Sequence, residues 1–161
     1  MLKKSSTTFL KFVLFLTALP ILAGLLYFPQ IEGRNALAEN RILIYFNDPF
    51  LAYVYLGSVP FFVGIYYAIK MLGLIEQNKA FTQQAVKTLH NMKYSALALM
   101  GFILLAMPWI FMFAQDDDAP GVVLLGIGAA FIAAVLATAC AIFQKLFQNA
   151  VDIKEENDLT V

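Results

Sequence analysis

The sequence is short of the residues from which active sites are usually built. It holds one cysteine, Cys140, and one histidine, His90. A lone cysteine forms no internal disulfide and a lone histidine supplies no multi-histidine metal site, which removes the commonest frameworks for both. Charge is also scarce: 14% of residues are Asp, Glu, Lys or Arg against 61% hydrophobic, and eleven basic side chains balance eleven acidic ones. A neutral chain gives no electrostatic ground for direct binding of nucleic acid or another polyanion. No paired carboxylates and no Ser/His/Asp set occur in any segment, so the chain reads as non-enzymatic, with no catalytic residue, cofactor or metal expected.

What is abundant is hydrocarbon. Backbone N–H and C=O groups find no water in a bilayer core, so an apolar run long enough to cross it must be a self-satisfied helix. Four runs qualify: Phe12 to Phe28, Phe50 to Ile69, Ser95 to Ala114 and Val122 to Phe143. At about 1.5 Å per residue each covers roughly 25 to 33 Å, close to the core thickness. Phe9 and Leu10 lengthen the first run if Lys11 snorkels to the headgroups. Lys3 and Lys4 ahead of it suggest a secretory signal, but the apolar stretch is too long and no A-x-A-like site follows, so it is read as a retained span. The expected fold is one all-α integral membrane domain over 1–161, a bundle of four transmembrane helices bathed in membrane lipid.

Basic residues stay on the cytoplasmic side of a membrane. Nine of the eleven fall on one side: Lys3, Lys4 and Lys11, then Lys70, Lys79, Lys87 and Lys93, then Lys145 and Lys154. Arg34 and Arg41 alone fall on the other, in an outer loop over 29–48. This predicts cytoplasmic N and C termini. Tyr27, Tyr53 and Trp109 mark the outer boundary and Tyr66, Tyr67 and Tyr94 the inner one, as interfacial aromatics do.

Helices solvated by lipid approach one another through small residues. Gly126, Ala130 and Ala134 recur every four residues on the fourth span, with Ala133, Ala137 and Ala141 beside them and Gly57 and Gly64 on the second. These faces suit packing within the bundle or against a second copy, so a homodimer stays open. Cys140 lies among the alanines and reads as a small packing residue. Pro20, Pro60 and Pro108 should bend the first three spans. Thr17, Ser58 and Thr138 are the sparse mid-span hydroxyls, and no Asp, Glu, Arg or His lies mid-span, which argues against ion coupling.

The cytoplasmic connection over 76–94 has helical periodicity, with Phe81, Ala85, Val86, Leu89 and Met92 on one face and Gln83, Lys87 and Asn91 on the other. Thr82 is a good N-cap, and Phe81 and Val86 occupy the positions of a hydrophobic staple. A short amphipathic helix is expected here, lying on the inner leaflet or docking a partner, with His90 as a candidate pH sensor. Past the fourth span Phe143, Phe147, Ala150 and Val151 carry the helix about two turns further. An acidic tail over 152–161 follows, expected to be solvated or else to add Leu159 and Val161 as a strand to a partner's sheet. Asp116, Asp117 and Asp118 read as a solvated acidic turn in preference to a Ca²⁺ or Mg²⁺ site. Asp48 before Pro49 marks the start of the second span, and "ILIYF" ahead of it is too apolar to float freely.

The four spans, the segment "AFTQQAVKTLHNMK" and the ending "EENDLTV" resemble the bacterial membrane proteins grouped as domain of unknown function 2975. Members of that family are often encoded beside a small Cro/CI-type helix-turn-helix regulator, and the resemblance implies a regulatory partnership. No catalytic residues are established for the family, so none is carried over. The functional expectation is a regulatory or interaction module that meets a cytoplasmic regulator through Phe81, Val86, Leu89 and Met92 of the loop and Asp158, Leu159 and Val161 of the tail. The alternative is a small transporter or channel subunit.

Overall fold

The structure, a computed structural model, describes residues 4–35, 49–116 and 119–159. They form four helices: α1 (Lys4–Asn35), α2 (Pro49–Glu76), α3 (Gln83–Asp116) and α4 (Pro120–Leu159). All four are long and apolar enough to cross a membrane. Pro49 and Pro120 open α2 and α4, where their missing N–H is no loss. Pro60 and Pro108 lie inside α2 and α3 without ending them. Backbone contact is most extensive between α3 and α4, less between α2 and α3, and least between α1 and α2. Among the described residues α1 touches no other helix at the backbone level.

The α3–α4 pair rests on a seven-residue pattern. The inward positions of α4 are Gly126, Ala130, Ala133, Ala137, Cys140, Gln144, Phe147 and Val151, spaced alternately by four and three residues. Ala130, Ala133, Ala137, Cys140 and Val151 are buried. Such a repeat keeps a seam facing one partner helix over many turns. The expected four-residue stripes are corrected accordingly: Ala133 and Ala137 join Gly126 and Ala130 on one seam, while Ala134 sits at its edge, half-buried. A methyl added at Gly126 would lie 2.9 Å from Met107 Sδ, so the two helices approach closely there. The small face of α4 is thus covered by α3.

The α2–α3 seam is aromatic. The Tyr53 ring meets Phe102 edge-on at 5.6 Å and Trp109 at 6.0 Å, and its hydroxyl donates to the Phe102 carbonyl. Tyr53 is therefore a packing residue as well as a boundary marker. Gly57 faces Phe102 at 3.5 Å and Gly64 faces Ser95 at 3.7 Å, both ordinary contacts for an added Cβ.

The connection between α2 and α3 is a built turn. Asn78 takes a φ of 57°, the left-handed conformation that asparagine tolerates. Lys79 N–H then donates to the Leu74 carbonyl at 2.8 Å and Asn78 N–H to Ile75 at 3.1 Å, the paired bonds of a Schellman helix end. Four residues later α3 begins, and it does not stop at the membrane boundary. The separate amphipathic helix expected within 76–94 is instead the first turns of a 34-residue α3, because no glycine or proline interrupts the chain between Thr82 and Gly101.

Candidate functional site

The end of the bundle that carries the start of α1 and the end of α4 collects most of the unusual contacts. Its centre is an apolar cluster of Met71, Leu74, Ala85 and Leu89, with Ile75, Met92 and Phe147 packed against it. The Schellman turn at Asn78 makes this possible by folding α3 back against the last turns of α2. Val86 is also buried, at 7% exposure. The face carrying Val86, Leu89 and Met92 is therefore turned to the chain itself, which corrects the expectation that it meets a partner: α2 and α4 cover what an isolated loop helix would have exposed.

Phe81 stays 56% exposed. Its ring lies 5.1 Å from Phe147 of α4, so it contacts α4. Thr82 precedes α3 as an N-cap should, yet its hydroxyl donates backwards to the Lys79 carbonyl at 2.8 Å. It is the Thr82 carbonyl that accepts from Ala85 and Val86.

His90 faces α4, where its Nδ1 lies 3.3 Å from Gln144 Nε2, and its ring lies 4.7 Å from that of Tyr94. Gln144 belongs to the inward seam of α4, although polarity alone places it on the solvated side. On the first helix, the Lys11 ammonium pairs with Glu76 at 2.7 Å. A second polar tie holds α1 further along, from the Tyr55 hydroxyl to the Leu25 carbonyl.

The tail is helical as far as Leu159. α4 runs 40 residues to Leu159, about 60 Å at 1.5 Å per residue and twice what a bilayer core needs. Lys and Glu are good helix formers, and Gln148 Nε2 donates to Asp152 Oδ1 one turn on, at 2.7 Å. The backbone of Asp158 and Leu159 is the last turn of this helix, not a strand; Val161 lies outside the described residues. Asp152 through Asn157 are all exposed, Ile153 at 60%.

Chemically the site is quiet. Cys140 is buried in the α4 seam, and among the described residues no group of three His, Cys, Asp or Glu is placed to hold a metal ion. Asp116 contributes the final residue of α3, while Asp117 and Asp118, and the 36–48 part of the outer loop with "ILIYF" and Arg41, lie outside the described residues. The 29–35 part belongs to α1.

Between the four helices lies a cavity of about 350 Å³. Leu14 and Thr17 of α1, Gly64 of α2, Ser95 of α3, and Leu136 and Cys140 of α4 are among its walls. The sequence carried a signal for it: Gly64, Ser95 and Cys140 are small residues at one depth of three different spans.

The family model of the protein of unknown function DUF2975 matches residues 17–161. The "Uncharacterized membrane protein YoaS" of Bacillus subtilis (strain 168) is 38% identical over 161 residues, covering 99% of this chain and 100% of that protein. No solved structure matches. With the greater part of α1 and all of α2, α3 and α4 inside the matched region, this chain belongs to the DUF2975 family of membrane proteins.

Proposed function

We propose that the chain is a non-enzymatic interaction module of the bacterial plasma membrane, threaded with both termini in the cytoplasm, whose α4 extension docks a cytoplasmic regulator of the Cro/CI helix-turn-helix class. The observation that carries this reading is the end of α4. Past Val151, buried at 4%, the helix continues with exposed side chains from Asp152 to Asn157. Asp152, Glu155, Glu156 and Asp158 against Lys154 make it acidic, and Ile153 supplies an apolar anchor.

A DNA-binding regulator carries a basic surface for phosphates, to which an acidic helix with one apolar side chain is complementary. The packed cluster beneath it, Met71, Leu74, Ala85, Leu89 and Phe147, anchors the helix from which the extension continues. The cytoplasmic placement is supported by the nine lysines that the sequence puts in the segments on one side of the spans. A transporter reading finds less support, since the span hydroxyls of Thr17, Ser58 and Thr138 each bond a carbonyl of their own helix.

Deleting residues 152–161 tests the reading. It is expected to abolish co-purification of the regulator encoded beside the gene while leaving the protein at normal abundance in the membrane. Unchanged recovery of the regulator overturns it.

A further inference from the structure

The cavity between the four helices lies in the part of the bundle that crosses the membrane, and its walls dictate what fills it. Two of its lining residues carry hydroxyls, Thr17 and Ser95, and both are already used: Thr17 donates to the Leu14 carbonyl at 2.8 Å and Ser95 to the Asn91 carbonyl at 2.9 Å. The lining includes no charged side chain. Water entering such a space needs two to four polar partners, and these two hydroxyls, their protons already donated, offer it acceptors alone. The filling is therefore apolar.

The shape narrows it further. α1 and α4 both line the cavity, yet their backbones make no contact with each other. Thr17 and Leu136, one from each, are exposed, so a lateral opening lies between these two helices, toward lipid. An extended hydrocarbon chain does fit, and at this depth the surrounding solvent consists of such chains. The volume is also within the roughly 300–1,000 Å³ typical of small-molecule sites.

We infer that the cavity is a binding site for one acyl chain of a membrane glycerolipid, which enters between α1 and α4 and lies against Gly64, Ser95, Ala96 and Cys140. Gly64 keeps the space open: the nearest atom a Cβ there would meet is Ser95 Cβ, at 3.7 Å, so its lack of a side chain adds room where backbone packing does not demand it. The site stands independently of any cytoplasmic partner.

Full-length protein reconstituted with phosphatidylglycerol bearing a diazirine on one acyl chain tests the inference. After irradiation, adducts are expected to concentrate several-fold on Leu99, Leu136 and Cys140 over Leu125 and Phe131, which face outward from α4 at 74% and 68% exposure. Ala96→Phe, which fills the cavity, is expected to remove the cavity adducts and leave those at Leu125. Equal labelling of cavity and outer positions in the unmodified protein overturns the inference, whatever the variant does. So does persistence of the cavity adducts in a folded Ala96→Phe protein, or recovery of a bound apolar molecule that is not a glycerolipid.

Discussion

The Tyr55 hydroxyl of α2 donates to the Leu25 carbonyl of α1, a carbonyl whose helical donor would be the N–H of residue 29. That residue is Pro29, which has none. Within a membrane an orphaned carbonyl finds no water, so the tyrosine completes α1 and at the same time ties it to the bundle.

Tyr55→Phe should therefore destabilise the protein by about 1 kcal/mol, the scale of an interhelical hydrogen bond in lipid. Restoring the N–H with Pro29→Ala should shrink that cost. A double-mutant cycle of unfolding in bicelles measures the difference; additive effects would mean that the two residues do not share the carbonyl.

The Lys11–Glu76 ion pair is another tie on α1. Its side chains are 32% and 23% exposed, so solvent screens it. Glu76→Gln is expected to cost less than about 1 kcal/mol, and salt should reduce that cost further. A larger loss would place the pair in a drier setting than its exposure indicates.

Leu89 and Ile153 should behave oppositely. Leu89 is 5% exposed in the internal cluster, and Leu89→Ala should cost about 2–5 kcal/mol as a core truncation. Ile153 is 60% exposed, and Ile153→Ala should stay within about 0.5 kcal/mol while weakening regulator capture. Denaturation curves of the two variants, with pull-downs of the second, separate a folding role from a docking role.

That contrast shows where sequence reading stops. The four spans and the start of α2 at Pro49 are legible because hydrocarbon length and proline's missing N–H act locally. The burial of Val86 and Leu89 is not, since an amphipathic face looks the same whether it lies on lipid, a partner or the chain itself; only the turn at Asn78 decides. The α4 seam sits between these cases. Its alternating spacing from Gly126 to Val151 is visible in the sequence, but a search for four-residue stripes splits it, and Gln144 hides it by being polar. Charge density reads the tail only as solvated, whereas Lys154, Glu155 and Glu156 are helix formers continuing an established helix.

On that seam, Ala133 is 2% exposed and tightly opposed. Ala133→Leu should destabilise by about 1–3 kcal/mol through overpacking, while Leu125→Ala on the lipid-facing side should be near neutral. Gly126→Ala should cost less than Ala133→Leu, because the atom in its way, Met107 Sδ, belongs to a flexible side chain. Thermal unfolding of the three variants gives the order, and a costlier Gly126→Ala would imply a backbone clash.

The central claim, that α4 carries a docking helix into the cytoplasm, is tested most directly by a photo-crosslinking amino acid at Ile153 in intact cells. The account predicts one dominant adduct with the helix-turn-helix regulator, absent when the same probe sits at Leu125 on the lipid-facing side. Adducts with lipid or with proteins outside the cell, and none with a cytoplasmic protein, would contradict it.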